Sequence, residues 1–201
     1  MLDTEQEKRL SRLKDMISLG LNDVYNREDF VVLLFGPAKP NGDTGNSDNF
    51  HTSVWNKRNE LRQALEEVKF FVVYGEDLTD IGRDDLEKRL NPMLKEQLLL
   101  AKANLVLVLA ASVGSVSELT FLCNYPAICQ KLVIAIHENH EAGFVSQGPV
   151  RIAEGHGARI IRFSDSDLKA CNVKTAMFSK ALDVFQAFVS HLISIRLCNI
   201  R

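Results

Sequence analysis

The chain has 201 residues, 46% apolar and 25% charged, which is enough for one well-filled core and the usual size of a single domain. Its formal charge of −2 provides no basic footprint for duplex nucleic acid or an anionic bilayer, and no apolar run is long enough for a membrane span. Cys123, Cys129, Cys171 and Cys198 form no C-x-x-C pair, and the charged first 25 residues lack a secretory apolar stretch, so the expectation is reduced thiols in a cytoplasmic protein.

In chain order, residues 4–25 place Leu10, Leu13, Ile17, Leu21 and Val24 at helical spacing. Phe30–Phe35 is a continuous apolar run, the pattern of a strand buried on both faces, and Gly36-Pro37 ends it. A loop rich in Gly, Asn and Asp follows, carrying Lys39 and Asp43, and then a helix over about 53–68 that holds the sole tryptophan, Trp55. The strand Phe70–Tyr74 leads into the acidic turn Gly75-Glu76-Asp77, and a charged stretch runs to Leu90. Asn91-Pro92 opens a helix to Ala103, with Pro92 at a permissive first position. Leu105–Leu109 is the third strand, Ser115 to about Cys123 a helix, Lys131–Ile136 the fourth strand and Arg159–Phe163 the fifth. The last helix, about 173–197, has Phe178, Ala181, Leu182, Phe185, Val189 and Leu192 as its apolar stripe.

Buried strands alternating with helices predict an α/β fold: one Rossmann-like domain with a mostly parallel five-stranded sheet flanked by helices. Within 1–201, residues 1–28 are expected to form an extra N-terminal helix, 29–165 the core, and 166–201 an extra C-terminal helix. Ligands of such sheets bind outside the carboxyl ends of the strands, which here means the loops 36–52, 75–90, 110–117, 137–150 and 164–172.

The most informative of these is Ala110-Ala111-Ser112-Val113-Gly114-Ser115-Val116-Ser117-Glu118, where a strand passes through small residues into a helix. Small side chains let a ligand approach the backbone, and a helix start offers N–H groups at its positive end. Glu118 falls about one turn inside the helix. On spacing alone it is either a pocket carboxylate or the capping-box partner of an N-capping Ser115. Further along, His137 and His140 flank Glu138-Asn139, but two histidines without a third ligand make a weak metal signal, and none is expected. Asn139 or Phe144 of this loop is placed to touch a ligand. His156, before the fifth strand, belongs to the opposite edge.

The stretch 110–118 resembles the strand–loop–helix signature of the nucleoside 2-deoxyribosyltransferases and of the SLOG (lonely-guy-type) superfamily. Gly114-Ser115-Val116-Ser117-Glu118 matches their Gly-Thr-x-x-Glu without a gap, Ser standing for Thr. Leu34-Phe35-Gly36-Pro37 is similar to the Leu-Ala-Gly-Pro that closes the first strand of the deoxyribosyltransferases, and the element order between the two matches agrees over about residues 30–136. Similar domains occur as effectors of bacterial antiphage systems. The resemblance implies cleavage or transfer at the N-glycosidic bond of a nucleoside, nucleotide or NAD-like substrate, without a cofactor. Glu118 would act at C1′, since a carboxylate stabilises or traps an oxocarbenium-like centre. A second acid from Asp77, Glu76 or Asp43 would protonate the leaving base, with Asp77 the leading choice. The implied ligand contacts are Gly36, Pro37, Gly75, Glu76, Ser112, Gly114, Ser115 and Asn139, and many relatives work as homo-oligomers or subunits of larger complexes. Ala110 and Ala111 stand where the families carry Pro-Gly-Gly or Asp, and the Arg-Lys pair that SLOG enzymes use on phosphate has no counterpart by position. Two alternatives follow: a nucleotide-binding sensor without chemistry, and an interaction module whose terminal helices mediate assembly.

Overall fold

The computed structural model describes residues 25–39, 49–80, 92–140, 143 and 145–198, together with Lys8, Ser11, Arg12 and Asp15, which are helical and exposed. Most of the expected N-terminal helix, Asp43, the charged stretch before Asn91, and Phe144 lie outside the described residues.

Five strands form one sheet: β1 (Val31–Phe35), β2 (Phe71–Tyr74), β3 (Leu105–Ala110), β4 (Leu132–His137) and β5 (Arg159–Phe163). All four pairings are parallel and the order is β2-β1-β3-β4-β5. Every residue of the central strands β3 and β4 is buried, whereas β5, at an edge, is mostly half-exposed. The continuous apolar runs therefore mark strands covered on both faces, as expected.

Helices α1 (Asn49–Glu67) and α7 (Asn172–Cys198) cover one face of the sheet. Val54, Leu61 and Leu65 of α1 and Val173, Met177 and Ala181 of α7 pack there on Leu34, Leu107 and Ala135. The other face carries α2 (Pro92–Lys102), α3 (Val113–Leu122), the short α4 (Pro126–Cys129) and α5 (Arg151–Gly155), with Leu100, Leu119, Leu122 and Ala153 on Val106, Val108 and Ile134. A further short helix, α6 (Asp165–Lys169), joins β5 to α7. No helix among the described residues is long and apolar enough to cross a membrane.

Two side chains tie the amino edge of the sheet to its helices. The Asn104 Oδ1 accepts from the Val31 N–H at 2.9 Å, while the Asn104 N–H donates to the Val31 carbonyl, pinning the start of β1. The Lys131 Nζ donates to the carbonyls of Leu100 (2.7 Å) and Ala103 (2.6 Å) and so closes the C-terminus of α2, although burial pulls its pKa below the ordinary lysine range. Cys123, Cys129 and Cys171 are free thiols, and burial pushes the first two up in pKa.

Candidate functional site

In this strand order the direction in which successive strands are added to the sheet reverses between β1 and β3. β2 lies on one side, β4 and β5 on the other, and the crevice at such a reversal is where open α/β sheets hold ligands. Phe35 pairs with Val108, so β3 runs two residues past the end of β1. The site is thus a step, with Gly36 on its lower level and Ala110 above.

The helix after β3 starts earlier than the spacing suggests, at Val113 instead of Ser115. Ser112, with extended φ −139° and ψ 162°, is the N-cap, and its hydroxyl accepts from the Ser115 N–H at 3.2 Å. The Ser115 Oγ accepts in return from the N–H groups of Ala111 (3.1 Å) and Ser112 (3.0 Å). The reciprocal capping pair is therefore Ser112 with Ser115, not Ser115 with Glu118. The physical reason is that the chain leaves the extended region at Ser112, so the orphan N–H groups of the first turn lie three residues nearer the strand. Glu118 is thereby placed on the second turn, away from the cap.

Glu118 points toward β2. A Cβ built on Gly75 would lie 3.7 Å from the Glu118 Oε1, and only 2.6 and 2.7 Å from the Phe35 ring. Gly75 is thus required by packing, and the structure brings it together with Glu118. Gly114 differs: a Cβ there meets nothing nearer than the Ser112 Oγ at 4.0 Å. Packing does not demand that glycine, and Gly114 and the 86%-exposed Val113 face open space.

The acidic turn after β2 is a 3-10 turn, Gly75–Asp80. Its two acids face α1. Glu76 makes a bidentate pair with Arg58, Oε1 at 2.8 Å from Nη1 and Oε2 at 2.6 Å from Nη2. The Asp77 Oδ2 accepts from the Tyr74 N–H at 3.3 Å and lies 3.8 Å from the Arg62 Nη1, so its carboxylate is turned back toward β2. The Tyr74 ring lies beneath both guanidinium groups, 4.2 Å from Arg58 and 4.4 Å from Arg62, and burial pushes its phenol up.

Arg58 is the residue that pattern reading misses. Its side chain is 1% exposed, and besides Glu76 it donates to the carbonyls of Leu34 (2.8 Å) and Pro37 (2.9 Å). It holds the ends of β1 and β2 together, and with them Gly36, Pro37, Gly75 and Glu76. A signal was present: Arg58 sits between Val54, Leu61 and Leu65 at spacings of four, three and four, inside the apolar stripe of α1.

His137 is the buried last residue of β4 instead of a loop residue. Its Nδ1 accepts from the Asn139 N–H at 3.2 Å, its Nε2 lies 3.3 Å from the Asp165 Oδ1, and its ring meets Phe50 and Phe163 edge-on. Asn139 follows in an exposed 3-10 turn at the same carboxyl edge, one strand away from the step. Among the described residues no His, Cys, Asp and Glu cluster is arranged for a metal ion. His156 is exposed at the opposite edge, as expected.

No curated protein matches the chain. The family described as STM3845 retron effector protein matches residues 55–198, from within α1 to the end of α7. That span takes in Arg58, the Gly75 turn, Glu118 and Asn139, and covers well over half of the sequence. The chain belongs to the STM3845 retron effector protein family.

Proposed function

We propose that this protein is an antiphage-defence effector that cleaves, or transfers across, the N-glycosidic bond of a nucleoside, nucleotide or NAD-like substrate. Family membership supports the effector role. The observation that carries the chemistry is the placement of Glu118: α3 sets its carboxylate at the β1–β3 reversal, beside Gly75, while Ser115 takes the capping duty. Breaking a bond from C1′ to a base nitrogen leaves positive charge on the sugar. A carboxylate at that carbon stabilises the charge or captures it covalently, and water or a second base then releases the sugar. Asp77, about half exposed on the neighbouring turn, is the acid available to protonate the departing base. Open space at Gly114 and the small residues before it leave room for the ligand against α3.

The test is incubation of the protein with nucleosides, nucleotides and NAD, followed by quantification of free base. Glu118→Gln keeps the shape and removes the charge, and base release is expected to fall by about a hundredfold or more with the melting temperature unchanged. Undiminished release from that variant rules the mechanism out.

A sensor that binds nucleotide without chemistry is the second reading. The engagement of Glu76 with Arg58 and the turn of Asp77 toward Arg62 favour it, because both acids of the Gly75 turn already face arginines. Calorimetric binding of a nucleotide that is never consumed would decide for it.

A further inference from the structure

A guanidinium has five N–H donors in a fixed fork. Four of those on Arg58 are used: Nη1 by the Pro37 carbonyl and the Glu76 Oε1, Nη2 by the Leu34 carbonyl and the Glu76 Oε2. The fifth, on Nε, is buried and has no hydrogen-bond partner among the described residues. Buried donors are rarely left unmade in native proteins, and those that are call for a reason. The reason lies next to it. A Cβ on Gly36 would stand 3.4 Å from Nε, 3.0 Å from the Arg58 Cδ and 3.3 Å from the Leu109 Cβ. A glycine therefore keeps side-chain atoms away from this donor, at the lower level of the step and within the crevice of the reversal.

We propose that the Arg58 Nε–H is a substrate-binding donor that takes one hydroxyl oxygen of the sugar, and that the site recognises its substrate by the sugar and not by phosphate. The assignment rests on the ribosyl reading given above. Charge selects the hydroxyl. The Arg58 guanidinium is already matched by Glu76, and the neighbouring Arg62 faces Glu66 and Asp77, so both guanidinium groups at this edge already have carboxylate partners. A phosphate wants a bidentate, uncompensated cation, and a single N–H on a guanidinium already paired with Glu76 is a poor host for it. A neutral hydroxyl needs only one directed donor. Because Nε is shut off from water, no solvating water has to be displaced there, and the side-chain-free turn at Gly36 is the part that yields.

Titration calorimetry on the full chain tests this with adenosine, guanosine, cytidine and uridine, in the wild type and in Glu118→Gln. For the tightest nucleoside, its 2′-deoxy and 3′-deoxy analogues and its 5′-monophosphate are then compared. Arg58→Lys keeps a cation for Glu76 but loses the Nε–H, and is expected to weaken the parent nucleoside about tenfold. One of the two deoxy analogues, lacking the contacted hydroxyl, should bind the wild type and Arg58→Lys equally. Gly36→Ala fills the space from the other side without touching Arg58 chemically, should give the same pattern, and carries the test if Arg58→Lys does not fold. Parent binding unchanged in both variants, equal losses for all analogues, or markedly tighter binding of the monophosphate overturns the assignment while leaving the ribosyl reading standing. Failure of the wild type to bind any nucleoside overturns both.

Discussion

The glycines of this edge perform different tasks. Gly75 exists because the Phe35 ring occupies the space a side chain would take, whereas Gly114 borders open space. Gly75→Ala must push the ring or the turn aside, and a cost of about 1–3 kcal/mol in urea denaturation is expected. Combining it with Phe35→Leu should recover part of that loss, since the conflict is with the ring and not with the backbone conformation. Were the double variant less stable than the sum of the two single changes, the steric account would be wrong. Residues of this kind were readable in part. Gly36, Gly75 and Glu118 stand out because their types fit turns and sugar chemistry. Arg58 does not, because a charged residue inside an apolar stripe reads as solvent-facing until its four acceptors are seen.

At the scale of elements, two serine-led caps set where helices begin. In α3 the choice between Ser112 and Ser115 is invisible in sequence, because both precede a plausible first turn and only backbone dihedrals separate them. In α6 the Ser164 hydroxyl accepts from the Asp167 N–H, and the Asp167 carboxylate accepts from the Ser164 N–H at 2.9 Å, a second reciprocal box. Asp167 also accepts from the Asn172 Nδ2 at 3.0 Å, linking α6 to the start of α7. The Asn172 amide first, and Ser164 after it, lower the carboxyl from 3.8 to about 2. A carboxyl lowered on folding contributes stability above its unfolded value and loses it as pH falls through the folded one. The contribution is therefore present above about pH 4 and disappears toward pH 2. Asp167→Asn should be less stable than wild type at neutral pH and converge with it at pH 2. Parallel pH–stability curves for the two proteins would refute the linkage.

For the whole molecule, the terminal helix belongs to the fold and is no appendage. Its Val173, Met177 and Ala181 are sealed against the sheet, and Phe185 and Phe188 close on Tyr25 and Phe30. Burial there pushes the Tyr25 phenol up to about 12, with Asp29 adding to it. A chain ending at residue 171 loses the cover that Val173, Met177 and Ala181 give to β3, β4 and β5, so it should lose its cooperative thermal transition by circular dichroism. A sharp transition in that truncation would show that α7 is dispensable and return it to the role of an assembly arm. The global topology was legible because unbroken apolar strands separated by helices leave few solutions. The carboxyl edge that carries the candidate site followed from the same rule. The turn of Glu76 and Asp77 toward α1 did not, since it depends on Arg58 and Arg62, of which Arg58 lies 18 residues before Glu76.

The two-residue overrun of β3 past β1 has a consequence for traffic. It makes the crevice a stair, with the half-buried Ala111 at the top of the riser and a tread at Gly36. The polar groups of Arg58, Glu76 and Asp77 all stand on the β2 side. A ligand held in the crevice would therefore meet Arg58, Glu76 and Asp77 from the β2 side.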